Sequence, residues 1–210
     1  MSILKRFYGN TRRPQGVGGK IMLSIMNAGH DKLASWGLTH MEINPDATVL
    51  DIGCGGGRNI SNLLKKASGG KVFGVDYSSE SIKKSIQLNQ EAVAQKKAEV
   101  IQASVSSLPF PDKTFDAATA FETIYFWPDL VHDFMEVQRI LKPGGLFLIC
   151  NEASKPKDFE KWSKWIDLRV YTQKELSDTL AQAGFEQILC HAHPNGRWLC
   201  ITARAKSNPA

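Results

Sequence analysis

Val49-Leu50-Asp51-Ile52-Gly53-Cys54-Gly55-Gly56-Gly57-Arg58-Asn59-Ile60 is the stretch on which the reading of this chain turns. A short apolar run ends on an acid and a branched residue. Gly53, Gly55 and Gly57 follow, and then Ile60, Leu63 and Leu64 recur at helical spacing. A strand, a glycine turn and a helix in that order let the backbone turn tightly and approach a ligand closely. Taken alone, such a turn also suits a plain strand-to-helix connection. Two details sharpen it. The glycines read G-x-G-x-G, whereas a dinucleotide fingerprint, G-x-G-x-x-G, needs its third glycine at the position of Arg58. Asp76 closes the next apolar run roughly twenty residues on, where a carboxylate can accept both hydroxyls of a ribose.

Outward from this unit, strand and helix signals alternate. Residues 71–76 read as a second strand and 79–95 as one helix capped by Ser78 or Ser79. Residues 99–102 and 115–121 read as strands three and four. A helix follows with Pro128 in its first turn, ending near Leu141 before Pro143-Gly144-Gly145. Residues 146–150 form an apolar run suited to a strand buried on both faces. Thr172 and Glu175 have capping-box spacing, and Gly69-Gly70 and Ala183-Gly184 stop helices. Pro194-Asn195-Gly196 joins the last two strands, 185–191 and 198–205, as a hairpin. The pattern predicts an α/β fold: a seven-stranded, mostly parallel, doubly wound sheet with an antiparallel last strand. Residues 1–44, with Ile21, Met22, Ile25, Met26 and Leu33 in roughly helical period, read as an N-terminal helical extension or lid, and 45–210 as the main domain.

Of the 210 residues, 42% are hydrophobic and 22% charged, a globular composition with enough apolar surface for a core. No apolar run spans a bilayer. The amino terminus, with Lys5, Arg6, Arg12 and Arg13, lacks the apolar stretch of a secretory signal, so a cytoplasmic location is expected. Cys54, Cys150, Cys190 and Cys200 are scattered without a C-x-x-C pair, and no metal site is expected. The net charge is +5, but basic residues concentrate only at 5–20 and 155–164, which argues for solvated faces over a nucleic-acid track.

In sequence order, V-L-D-I-G-C-G-G-G (49–57), G-V-D-Y-S (74–78), L-P-F-P-D-K-T-F-D (108–116), L-K-P-G-G (141–145) and Y-T-Q-K-E-L with the A-G-F after it resemble the motifs of class I S-adenosylmethionine (SAM) dependent methyltransferases. The likeness covers residues 47–205. It is nearest the small-molecule branch that includes the ubiquinone and menaquinone C-methyltransferases. It implies the Rossmann-like methyltransferase fold, SAM as cofactor and S-adenosylhomocysteine as product. It implies that Gly53, Cys54 and Gly55 pass under the methionine part of SAM, and that Asp51 reaches its amino group directly or through water. Asp76 would hold the ribose and Tyr77 pack on the adenine. Ser104 and Val105 would lie near the adenine amino group, Ser104 standing where the family usually has Asp or Asn. Phe121 and Glu122 would face the sulfonium and the methyl group.

A sulfonium methyl is already activated, so transfer asks mainly for in-line approach and exclusion of water. Phe121, Tyr125, Phe126 and Trp127 cluster after strand four, where aromatic faces stabilise a cationic donor. Phe126 and Trp127 suit either that pocket or packing under a loop. A base is needed only where the acceptor loses a proton. Glu122, Tyr125 and Glu152 stand at or after strand ends, and Glu122 and Tyr125 are the catalytic candidates. His132, His191 and His193 read as structural. Trp162 and Trp165 suit either a cover over an apolar acceptor or packing on the body, and Tyr8, Gln15, Lys20 and Met22 precede the fold, positioned to close over SAM. The Asn/Asp-Pro-Pro-Tyr/Phe motif of nucleic-acid N-methyltransferases is absent after strand four, and no Pro-Cys nucleophile of a cytosine C5 enzyme is present. The expected function is methyl transfer to a small-molecule acceptor. A nucleic-acid (RNA) methyltransferase, a non-catalytic SAM-binding protein and an NAD-dependent oxidoreductase are the alternatives.

Overall fold

A computed structural model describes residues 31–158, 160 and 168–207. Its strands are β1 (Thr48–Ile52), β2 (Lys71–Asp76), β3 (Ala98–Gln102), β4 (Phe115–Phe121), β5 (Leu141–Asn151), β6 (Phe185–Ala192) and β7 (Leu199–Ala205). They pair in the order β3-β2-β1-β4-β5-β7-β6. All neighbours are parallel except β7, which runs antiparallel to both β5 and β6. This is the expected seven-stranded sheet, with the last strand lodged between two others instead of closing an edge.

Side chains alternate across the sheet by the two-residue period of a strand, which divides the core in two. On one face Leu50, Ile52, Ala118, Ala120, Phe147 and Ile149 pack under α5 (Leu130–Ile140) and α6 (Gln173–Gln182). On the other, Val49, Val72, Ala117, Phe121, Leu148 and Cys150 pack under α1 (Asp31–Gly37) and α2 (Arg58–Lys66). Phe115 and Ala117 should share a face, yet they belong to opposite clusters. The pairing with β5 is irregular between them, Phe115 standing opposite Leu141 and Ala117 opposite Leu146, and the regular alternation is interrupted there. After the bulge, Thr119 and Phe121 fall on the α1–α2 face, as Asp51 and Asp76 do by the same parity.

Several expectations change. The helix over 79–95 is two, α3 (Ser79–Leu88) and α4 (Gln90–Ala94), capped at the start by Ser78, whose side chain accepts from the Ser81 N–H. The break is at Asn89, whose buried amide donates to Gly57 O and Ser85 O while its carbonyl accepts from Ser61 Oγ at 2.7 Å. Pro128 precedes the next helix and does not lie in its first turn, because Asp129 is the cap that accepts from the His132 N–H. β5 begins at Leu141 and runs through Pro143-Gly144-Gly145, which the sequence suggests is a break. Gly69 and Gly70 do not end α2 in a left-handed conformation. Their missing side chains let the chain lie on Pro45 to Ala47, with Gly69 N and Gly70 N both donating to Pro45 O at 3.0 Å. The capping box of Thr172 and Glu175 forms as expected. The amino-terminal helix before residue 31, the lid residues Tyr8, Gln15, Lys20 and Met22, and Trp162 and Trp165 lie outside the described residues.

Candidate active site

The glycine turn sits at the carboxyl end of β1, the edge where open α/β sheets form sites. Gly53 N and Cys54 N both donate to Val75 O, at 2.8 and 2.9 Å, tying the turn to β2. Gly53, Gly55 and Gly57 all have left-handed φ, of 74°, 50° and 83°. A Cβ on Gly53 would also strike the Thr123 side chain in the loop after β4, so this glycine is required on two counts.

Two carboxylates flank the turn. Asp76 is 8% exposed, with one oxygen accepting from Gly55 N (3.0 Å) and the other from Ser78 N (2.8 Å). Burial raises its pKa while those two N–H groups oppose the rise. Asp51 is 1% exposed. Its Oδ1 accepts from Thr119 Oγ1 at 2.8 Å, and its Oδ2 is buried with no hydrogen-bond partner among the described residues. Desolvation pushes its pKa up to about 7. Cys54 is buried beside both acids, and its thiol is held far above the usual range, chiefly by burial. Such a thiol is inert.

The loop after β3 is held against this end of the sheet by one face of α5. Ala103 N donates to Asp76 O at 3.1 Å. Ser106 Oγ donates to Asp133 Oδ1 at 2.6 Å, and Leu108 N to Glu136 Oε1 at 2.8 Å. Arg139 then reaches the Leu108 and Phe110 carbonyls and the Asp112 carboxylate. Asp133, Glu136 and Arg139 are spaced three apart, so they share one helix face. Val105 turns into the core, Ser104 is exposed, and Tyr77 is 39% exposed beside the loop.

After β4 the chain makes a sharp turn at Glu122, whose φ of 57° is left-handed, a strained region for a residue with a side chain. Its Oε1 accepts from the Glu152 N–H and from Tyr125 Oη at 3.1 Å. Desolvation pushes the Glu122 carboxyl up to about 8. Tyr125 is buried and its Oη accepts from Ala153 N at 3.0 Å. The two catalytic candidates are thus in contact. Phe121 is nearly buried and meets α1 at Gly37, where a Cβ would come within 3.1 Å of the ring. Trp127 belongs to the core: it stacks on Phe147 with centroids 6.4 Å apart, and Nε1 donates to Thr123 Oγ1. Glu152 faces outward toward Arg197, at 3.6 Å. His191 is stacked on His40, and His193 is set edge-on to Trp36.

Among known proteins, a demethylmenaquinone methyltransferase of Bacillus cereus is 36% identical over 70% of this chain and 73% of its own length. The chain belongs to the class I SAM-dependent methyltransferases. The family description "Methyltransferase domain" matches residues 50–149. A sterol methyltransferase-like protein of Botryococcus braunii is 32% identical over 65% of this chain, which spans only 35% of that protein. A SAM-dependent methyltransferase of Aquifex aeolicus shares the fold, with a TM-score of 0.74 at 19% identity, covering 88% of this chain and 97% of that one. SAM is the cofactor of this methyltransferase family. Among the described residues no helix is long and apolar enough to cross a membrane, and no group of three or more His, Cys, Asp or Glu is placed for a metal ion.

Reading the sequence missed Thr119, Thr123, Asn89 and Asp133. Each acts through a partner distant in sequence, and only strand register or helix face brings the two together.

Proposed function

We propose that this methyltransferase moves the methyl group of SAM to a small-molecule acceptor, residues 45–210 forming the SAM-binding domain and residues 1–44 an extension over it. The observation that carries the reading is Asp51: a buried carboxylate with one oxygen unpartnered, at the start of a turn of three left-handed glycines. A carboxyl buried this deeply carries charge only against a counter-charge, and the ammonium group of the methionine moiety supplies one. The residues therefore fit SAM. Gly53, Cys54 and Gly55 offer bare backbone to the methionine part. Asp76, at the end of β2 with its carboxylate fixed by the Gly55 and Ser78 N–H groups and the Ser81 side chain, is the acid for the ribose hydroxyls. Tyr77 offers an exposed ring to the adenine, and Ser104 and the Val105 N–H edge the same end.

Bound SAM brings an electrophilic methyl on a cationic sulfur. The work left to the chain is to align the acceptor, exclude water and, for an acceptor that loses a proton, to receive it. Phe121 walls the pocket. Glu122 has the basicity for proton transfer near neutral pH, and Tyr125 holds it by donating to Oε1 while the Ala153 N–H holds Tyr125. In this reading the acceptor lies beside this pair at the end of β4, in line with the C–S bond. The curated relatives are named for quinone and sterol methylation, which supports an acceptor of small-molecule size.

Calorimetric titration with S-adenosylhomocysteine and, separately, NADH tests this. Micromolar binding of the former alone is expected, much weaker in Asp76→Ala with an unchanged circular dichroism spectrum. Preference for NADH, or no binding of either, would overturn the reading.

A further inference from the structure

Thr119 lies in the middle of β4, directly across from Asp51 of β1 in the parallel register. Both residues are essentially buried, and parity puts both on the face that carries the glycine turn. The hydroxyl donates to one Asp51 oxygen at 2.8 Å, and the other has no partner among the described residues. Strand neighbours here are alanines, Ala117, Ala118 and Ala120, so a hydroxyl at position 119 is the one polar side chain of the strand centre.

Resting on the SAM-binding reading above, we propose that Thr119 is a positioning residue for the cofactor: it fixes one oxygen of Asp51 so that the other receives the methionine ammonium group, and Asp51 gives up a proton as the cofactor binds. Among the described residues, few groups bear on Asp51. From β2 comes Asp76, a second acid, which disfavours charge on Asp51. From the turn comes Cys54, whose thiol stays neutral. From β4 comes only the Thr119 hydroxyl. A carboxylate so buried, facing an acid and one neutral donor, holds its proton when alone. Arrival of the ammonium reverses the balance. The proton passes to solvent, and carboxylate and ammonium remain as a buried pair. Raised basicity of Asp51, near 7, agrees with this.

The test is calorimetry in buffers of different ionisation enthalpy, which counts protons released on binding. S-adenosylhomocysteine is compared with 5′-methylthioadenosine, which keeps the nucleoside and thioether but lacks the amino acid. Any proton that Asp76 loses to solvent as the ribose binds is common to both ligands. The homocysteine nucleoside is expected to release about half a proton more at pH 7, and its affinity to rise about tenfold from pH 6 to pH 8. In Thr119→Val the excess should approach a full proton at pH 7, with affinity reduced there and recovered at pH 9. Thr119→Ser should restore wild-type behaviour. Equal proton release by the two ligands, or a loss in Thr119→Val that is the same at every pH, would overturn the proposal while leaving SAM binding intact. Failure of both nucleosides to bind the wild type would instead sink the cofactor reading itself.

Discussion

Replacing Asp51 by asparagine should make the ligand-free protein progressively more stable, relative to wild type, as pH rises. Burial moves this carboxyl from 3.8 to about 7, with the Thr119 hydroxyl pulling it down and Asp76 pushing it up. Between those values the folded protein keeps a proton that the unfolded chain has released. The contribution is fully present below about pH 4 and is lost as pH rises through about 7. At about 1.4 kcal/mol per pH unit, the loss is about 1.5 kcal/mol at pH 5 and about 4 kcal/mol at pH 8. Asparagine carries no such proton. Its carbonyl still accepts from Thr119, and its buried amide N–H adds a cost of about 1–3 kcal/mol that does not vary with pH. The stability difference between the two proteins should therefore move by about 2–3 kcal/mol in favour of Asp51→Asn from pH 5 to pH 8, whatever that fixed cost. Urea unfolding at pH 5, 6, 7 and 8, followed by tryptophan fluorescence without nucleoside, measures it. Two curves that stay parallel across this range would refute the argument that Asp51 is neutral in the free protein.

Asp133→Ala leaves Ser106 Oγ and the Asp129 N–H without their acceptor; it should cost about 1–3 kcal/mol and weaken S-adenosylhomocysteine binding several-fold by loosening the loop after β3, both read from thermal unfolding with and without the nucleoside. Gly37→Val should cost about 1–3 kcal/mol by overpacking, because even a Cβ there comes within 2.7 Å of Cys150 Sγ; unfolding in urea with an unchanged midpoint would contradict the close approach of α1 to β5. Burial, and then the neighbouring His191, lower the pKa of His40, so the stability it contributes is present above about pH 6.5 and lost as pH falls below that value. An NMR titration of its imidazole should show a midpoint below the ordinary histidine value, and one at or above it would refute the stacked arrangement.

What was legible in the sequence was whatever is carried by local chemistry. Three alternate glycines between a strand and a helix admit few backbone paths, and all three are left-handed in the fold. Pro194-Asn195-Gly196 announced the hairpin, and Thr172 with Glu175 announced a cap that forms in full. What stayed hidden depends on partners far along the chain. A threonine in an alanine-rich strand carries no signal of its own, and only the β1–β4 register sets Thr119 against Asp51. The apolar period of 79–95 is continuous, so nothing local shows that Asn89 turns inward to bond Gly57 and splits the helix. Pro143-Gly144-Gly145 reads as a loop because proline and glycine are poor strand formers, but the register shift against Phe115 lets β5 begin early. At the site, Glu122 and Tyr125 were visible as candidates, while the left-handed turn that joins them was not.

The order β5-β7-β6 has a consequence for how the protein is made. β6 leaves the ribosome before β7, yet among the described strands β7 is its one hydrogen-bonding neighbour, and β5 also waits for β7 to cover its second side. Until residues 199–205 have emerged, a nascent chain holds an apolar β5 with one side open and a β6 with no mate. Such an edge is a template for pairing with another chain. Synthesis of this protein therefore passes through a window, opening with β5 and closing with β7, in which that edge is open to pairing with another chain.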